Sequence, residues 1–146
     1  MLEAKDKYAR AWLRSIGMRE EVRRLWVQSW EDLRTAEILI ENSRYYAAVF
    51  FSQQAAEKAL KALYIHVKRE LPPKSHNILE LLNSLGVKRE DLRDAAMDLT
   101  PEYIVTRYPD AANGVPAYLY NERMAREHYE KAKVIIQFCE QILKGE

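Results

Sequence analysis

Hydrophobic and polar positions alternate along this chain with a helical period almost throughout. From Tyr45 to Val67 the apolar residues Val49, Ala56, Leu60, Leu63 and Val67 recur at three- and four-residue steps, interrupted once by Gln53. Beside them runs a ridge of small residues, Ala48, Ser52, Ala55, Ala59 and Ala62, which lets a second helix backbone approach closely. The two strips cover more of the cylinder than the single stripe of an ordinary surface helix. The pattern predicts a central helix packed on two sides, one strip on its own subunit and one on a second subunit. Its remaining face, Gln54, Glu57, Lys58, Lys61 and Lys68, is expected to be wet, with Glu57 and Lys61 in the favourable i, i+4 order.

The flanking segments follow the same period. Residues 20–42 place Val22, Leu25, Trp26, Trp30, Leu33, Ala36 and Ile40 on one side of a first long helix, and the break at Asn42–Arg44 is short enough to make it an antiparallel neighbour of the central one. Trp26 and Trp30 read as packing anchors of a core or subunit interface, with base or ligand stacking as the alternative. Residues 1–19 carry Tyr8, Trp12, Leu13 and Ile16 as a short amphipathic arm ahead of Gly17, suited to lie against a neighbouring subunit. Pro72 and Pro73 bar the central helix from continuing. A short helix is expected from His76 to Leu85, capped by Ser75 and closed by Gly86. A fourth begins near Arg89, with Leu92, Leu99, Tyr103 and Ile104 inward and a kink or restart at Pro101, for which Thr100 would be the cap. AANGVPAYLY reads as loop, and Asn121 caps the last helix. No segment carries a strand pattern. The expected architecture is all-α, an antiparallel up-and-down bundle of four main helices with one short inserted helix, as a single domain over 20–146 preceded by the arm of 1–19.

Composition narrows the function classes. A net charge of +1 argues against a protein that coats polyanions, and DNA is not an expected partner. Cys139 is the lone cysteine, the three histidines are far apart and the four glycines are isolated. Neither a metal site nor a cofactor is therefore expected, and no phosphate-cradling loop is present. Without a signal-like start or an apolar run of ~20 residues, the expected location is the cytoplasm, away from membranes.

Two segments are unusual as mere structure. PPKSHN (72–77) and YIVTRYPDA (103–111) each gather basic, aromatic or acidic groups at a helix end, where side chains and free backbone groups converge as they do around phosphates. The candidate ligand-binding residues are His76, Arg107, Tyr108 and Asp110, with Lys58 and Lys61 from the wet face of the central helix. Against this stand plainer readings: a local Arg107–Asp110 salt bridge, a capping or solvated His76, and solvated lysines.

SQQAAEKALKALY (52–64), PPKSHNILELL (72–82) and YIVTRYPDA (103–111) resemble, in order and spacing, the HEPN family, the higher eukaryotes and prokaryotes nucleotide-binding domain. The resemblance runs from about Trp26 into the last helix. It implies a compact helical bundle, a homodimer, and binding of nucleotides or RNA, with a small nucleotidyltransferase as a partner. One branch of the family consists of metal-independent RNases of toxin–antitoxin or defence systems, which use an arginine and a following histidine paired across the dimer. With six residues between them, Arg69 and His76 meet the arginine-to-histidine spacing of that branch, with Glu70 where Asn, Asp or His would follow the arginine. Metal-independent RNA cleavage by Arg69 and His76 is therefore one alternative function, and a non-catalytic dimeric scaffold or antitoxin is another.

Overall fold

The computed structural model describes residues 2–145, with side chains from Lys7 onward. Its helices are α1 (Leu2–Arg14), α2 (Glu20–Glu41), α3 (Tyr45–Lys68), α4 (Ile78–Ser84), α5 (Glu90–Leu99), α6 (Glu102–Val105), α7 (Pro109–Ala112) and α8 (Glu122–Leu143), with a 3-10 turn at Pro116–Tyr118. Among the described residues there is no strand. The molecule is an all-α bundle in which α2, α3, α5 and α8 are the principal helices and α4 is the short insertion. α2 and α8 pack on α3, while α5 leans on α8 and α4 bridges α3 and α5.

α3 is the axis of the bundle because both of its dry strips are filled within the chain as far as Leu63, with Val67 half-exposed at the helix end. Ala48, Ser52, Ala55, Ala59 and Ala62 have no exposed surface, and neither do Val49, Gln53, Ala56 and Leu60. The alanine ridge gains little from its own small area, but it lets neighbouring helices close in on it. A second subunit would therefore meet this helix elsewhere than on the two strips, contrary to the arrangement the pattern suggested. The helix ends at Lys68, and Arg69 takes the left-handed conformation (φ 57°) as its cap, three residues before the prolines. Arg19, entering from the turn before α2, donates to the Ile65 carbonyl (2.8 Å), which also accepts the Arg69 N–H (2.9 Å), and so ties that turn to the end of α3.

Two boundaries fall elsewhere than expected. Asn77, not Ser75, caps the short helix, because its Oδ1 accepts the Glu80 N–H (2.9 Å) while the Ser75 hydroxyl is spent on the Asn77 N–H and the Glu80 carboxylate. His76 thus precedes α4 and lies outside its first turn. Thr100 closes α5 by bonding back to the Ala96 carbonyl (2.7 Å), and the chain restarts as α6 after Pro101. It is Glu102 of α6 and its C-cap Thr106 that turn inward, leaving Ile104 half-exposed. Glu102 is compatible with that position because Tyr120 donates to it (2.6 Å). Of the segment expected as loop, residues 111–120, the first two close α7 and Pro116–Tyr118 form the 3-10 turn. Asn121 caps α8 as anticipated, accepting from the Met124 N–H (2.9 Å).

The arm folds back on the bundle. Tyr8 and Ala11 are buried, and Tyr8 meets Trp30 edge to face (centroids 6.2 Å), which in turn meets Trp26 (6.0 Å). Both tryptophans are therefore internal packing anchors. Above them Glu37 accepts from Lys7 (3.2 Å), Tyr8 (3.2 Å) and Tyr129 (3.0 Å). Burial works to raise the Glu37 carboxyl, but the Lys7 ammonium and the two phenols together hold it below its ordinary value. A carboxyl depressed in the folded state contributes stability that is present above its unfolded value, about 4.3, and lost as pH falls through the lower folded one. Acidification through that range should loosen the arm, measured as faster proteolytic removal of residues 1–19. Glu37→Gln should show the faster removal already at neutral pH.

Candidate functional site

The polar residues of α3 converge on the loop that follows it. Gln53, Glu57 and Lys61 lie one turn apart on the same side of the helix. The segment from Arg69 to Asn77 folds back across them, and the Gln53 amide donates to the His76 carbonyl (2.9 Å) while His76 Nδ1 meets Glu57 Oε1 (3.0 Å). Gln53 Nε2 also reaches Glu57 Oε1 (3.2 Å), Gln54 donates to Gln53 Oε1 (2.8 Å), and Lys61 donates to Glu57 Oε2 (3.1 Å). Gln53 is wholly buried; of the face expected to be wet, Glu57 is 5% exposed and Gln54, Lys58 and Lys61 are half-buried, so that this part of it is the floor of a site, while Lys68 stays exposed. Facing an amide, an imidazole and an ammonium, a carboxylate only accepts. The proton in its bond with His76 is therefore on Nδ1. That leaves Nε2 as the free nitrogen of a ring whose side chain is 49% exposed.

The second segment supplies the cover. The Tyr103 ring on α6 stacks on the His76 imidazole with centroids 3.6 Å apart and planes 7° from parallel. The Arg107 guanidinium carbon lies 4.2 Å from the centroid of the same ring. Since the imidazole occupies one face of the phenol, the guanidinium takes the other, and the three groups form a sandwich. Arg107 Nε is anchored on the Tyr103 carbonyl (2.7 Å), and Phe50 and Tyr108 stand 5.3 and 5.1 Å from its guanidinium carbon. The two terminal amino groups remain for an incoming acceptor. The alternative reading, a local salt bridge with Asp110, is not what forms: Arg107 has no ion pair among the described residues, and Asp110 lies exposed on α7.

His76, Arg107 and Tyr108 are thus brought into one neighbourhood, with Tyr103 and Glu57 as members that sequence reasoning passed over. Lys58 and Lys61 border it but are engaged. Lys58 is paired with the buried Asp32 (2.5 Å), whose other oxygen takes Gln28 (3.0 Å), and Lys61 is paired with Glu57. The two carboxylates offset the two lysines, so the surplus positive charge of the site is that of Arg107, joined by His76 when it is protonated. Arg69 is exposed at the end of α3, twelve residues beyond Glu57 and therefore roughly 18 Å further along the axis. The arginine that shares the surroundings of His76 is Arg107. No three His, Cys, Asp or Glu side chains among the described residues could hold a metal ion, and among the same residues no helix is long and apolar enough to cross a membrane.

The family model for the HEPN domain matches residues 22–142, which leaves α1 outside it. The fold is similar to that of TT1696 from Thermus thermophilus (38% identity, TM-score 0.77, covering 84% of this chain and 98% of that one). It is also similar to ST0689, an archaeal HEPN homologue (31% identity, TM-score 0.74, 86% and 99%). A third similar structure is an HEPN domain protein of Thermotoga maritima, tm0613 (29% identity, TM-score 0.63, 80% and 93%). No curated protein matches in sequence.

Proposed function

Because the chain belongs to the HEPN domain family, we propose that it is a homodimeric nucleotide- or RNA-binding module whose ligand meets the His76–Tyr103–Arg107 sandwich. The observation that carries this reading is the sandwich itself. A fixed guanidinium with two unused terminal amino groups suits a phosphate, and an imidazole with Nε2 free suits a ribose hydroxyl or a second phosphate oxygen. The surrounding rings Phe50 and Tyr108 offer apolar surface to a base. Because Lys58 and Lys61 are neutralised by their carboxylates, they shape the rim, while Arg107 supplies the attraction. A small nucleotidyltransferase is the protein partner that the family resemblance implies.

Calorimetric titration with adenine and guanine nucleotides and a short single-stranded RNA tests the reading. Hydrogen bonds to a charged group contribute ~1.5–3 kcal/mol. Arg107→Ala should therefore weaken binding by roughly tenfold or more, with the melting temperature little changed because the residue is at the surface. The absence of binding by any of these ligands at millimolar concentration would overturn it.

One observation favours a second reading, metal-independent RNA cleavage. With its proton on Nδ1, His76 has the form of a general base, and Glu57 would stabilise the imidazolium that forms when Nε2 takes the proton of a 2′-hydroxyl. Arg107 would then stabilise the charge on the phosphorane in place of Arg69. Cleavage of single-stranded RNA without metal, abolished in His76→Ala, distinguishes this from binding alone.

A further inference from the structure

Gln53 can hold the His76 loop in only one orientation of its amide. Its Nε2 donates to the His76 carbonyl (2.9 Å) and to Glu57 Oε1 (3.2 Å), a carbonyl and a carboxylate that only accept, so its own Oε1 must face the other way. That oxygen belongs to a wholly buried side chain, and Gln54 Nε2 donates to it (2.8 Å). Gln54 is committed in turn. Its Oε1 accepts from Lys58 Nζ (3.3 Å), and an ammonium has only protons to offer. Lys58 is drawn to its place by Asp32 of α2, a carboxylate 4% exposed that also accepts from Gln28 (3.0 Å).

A continuous line of hydrogen bonds therefore runs from α2 into the site through Asp32, Lys58, Gln54, Gln53 and His76. Its two ends fix its sense. Lys58 only donates, Glu57 and the His76 carbonyl only accept, and between them the two amides satisfy every group in a single arrangement. Flipping either amide would set oxygen against oxygen on one side and N–H against N–H on the other. For stability alone an ion pair on a buried carboxylate is a poor choice, since apolar residues of the same volume often serve as well or better. What Asp32 and Lys58 supply at this place is direction.

We propose that Lys58 and Gln54 are positioning residues for His76: the ammonium held by Asp32 orients the two amides, and these pin the His76 loop so that the imidazole keeps its Nδ1 proton on Glu57 and its Nε2 free. Lys58 then serves the site through its neighbours, in place of the direct charge contact with a ligand that the sequence suggested for it. If Gln54 cannot donate, Gln53 Oε1 becomes a buried acceptor without a donor, a costly state. The Gln53 amide turns to relieve it and takes its N–H away from the His76 carbonyl. The loop is then held at His76 by the ring alone, and the ring becomes free to turn on Glu57 and share its proton between Nδ1 and Nε2. The purpose of this arrangement rests on the ligand-binding reading above, whereas the arrangement itself is present without a ligand.

Nitrogen-15 NMR of the His76 ring in the full chain tests this, because the ring nitrogens report which of them carries the proton. The neutral ring of the wild type should be in the Nδ1–H form. Gln54→Met keeps the length of a half-buried side chain and loses both hydrogen bonds; Gln54→Glu keeps the acceptor for Lys58 and loses the donor to Gln53. Both should show a mixture of the two tautomers and an Nδ1 proton that exchanges with water roughly tenfold faster, while the backbone amides of α3 exchange as in the wild type. Gln54→Glu is the sharper variant, since a second carboxylate beside Lys58 would preserve or raise stability if Gln54 served only the fold. Asp32→Asn combined with Gln54→Met should release the ring no further than Gln54→Met alone, because the line is already cut. A ring unchanged in both Gln54 variants, a loss of protection spread evenly along α3, or a further release in the double variant overturns the proposal. In calorimetric titration with adenine nucleotides and a short single-stranded RNA, Gln54→Glu should bind about tenfold more weakly. A wild type that binds none of these probes removes the ligand reading, and the state of the ring still decides the positioning role.

Discussion

Glu57→Ala should destabilise the protein by about 3 kcal/mol and abolish ligand binding, the largest effect expected from any single polar residue. Among the described residues the carboxylate is the one acceptor shared by Gln53, Lys61 and His76, and its removal leaves an ammonium and an amide donor at the floor of the site without their shared partner. The loop over α3 is then held at His76 by one bond, from Gln53 to the His76 carbonyl. With the imidazole released, the face of Tyr103 that it covers opens, and the placement of Arg107 against the other face loses its reference. Chemical denaturation with ligand titration on the same samples separates the two consequences. Glu57→Gln is the informative companion: it keeps an acceptor for His76 but removes the charge, so stability should fall less than in the alanine variant, while any acid–base use of His76 should be lost. Wild-type affinity in a folded Glu57→Ala protein would sink this account of the site.

How far the sequence led can be judged residue by residue. The bundle was legible because its signals are local and repeated: the period of 3.6, the prolines after Lys68, Gly86 in the left-handed conformation (φ 72°) after α4, and Asn121 as a cap all act within a turn or two of where they stand. The two unusual segments were legible for the same reason. What escaped was long-range. Glu57 read as solvated because nothing in its own helix says that a loop nineteen residues on will cover it. The clue was Gln53, a buried amide in an apolar stripe, whose partner turned out to be the His76 backbone. Arg107 and Asp110 looked like a pair because they are near in sequence, whereas the geometry turned the guanidinium onto Tyr103 instead. Whether α3 packs on a second subunit could not be settled by pattern either: a two-sided helix has the same sequence signature when both neighbours, here α2 and α8, belong to its own chain.

Trp30→Ala should cost about 3–5 kcal/mol and free the arm, more than any surface change on α1 itself. The ring is 6% exposed and stands between Trp26 in the core and Tyr8 on the arm, each meeting it edge to face. Deleting it removes the transfer energy of an indole, leaves a cavity beside Trp26, and takes away the surface on which α1 docks. The polar node of Glu37 with Lys7, Tyr8 and Tyr129 would then have to hold the arm against the conformational entropy of its residues. Removal of residues 1–19 by dilute protease should therefore accelerate in Trp30→Ala well before the bundle unfolds. A truncated chain beginning at residue 20 separates the terms: if the tryptophan acts mainly by docking the arm, Trp30→Ala in the truncated chain should cost clearly less than in the full one. Equal costs would mean that the ring serves the core alone. Because Trp30 is covered on both sides from within the chain, the folded variant should still bind nucleotide or RNA with wild-type affinity, and a loss there would assign the tryptophan to the ligand after all.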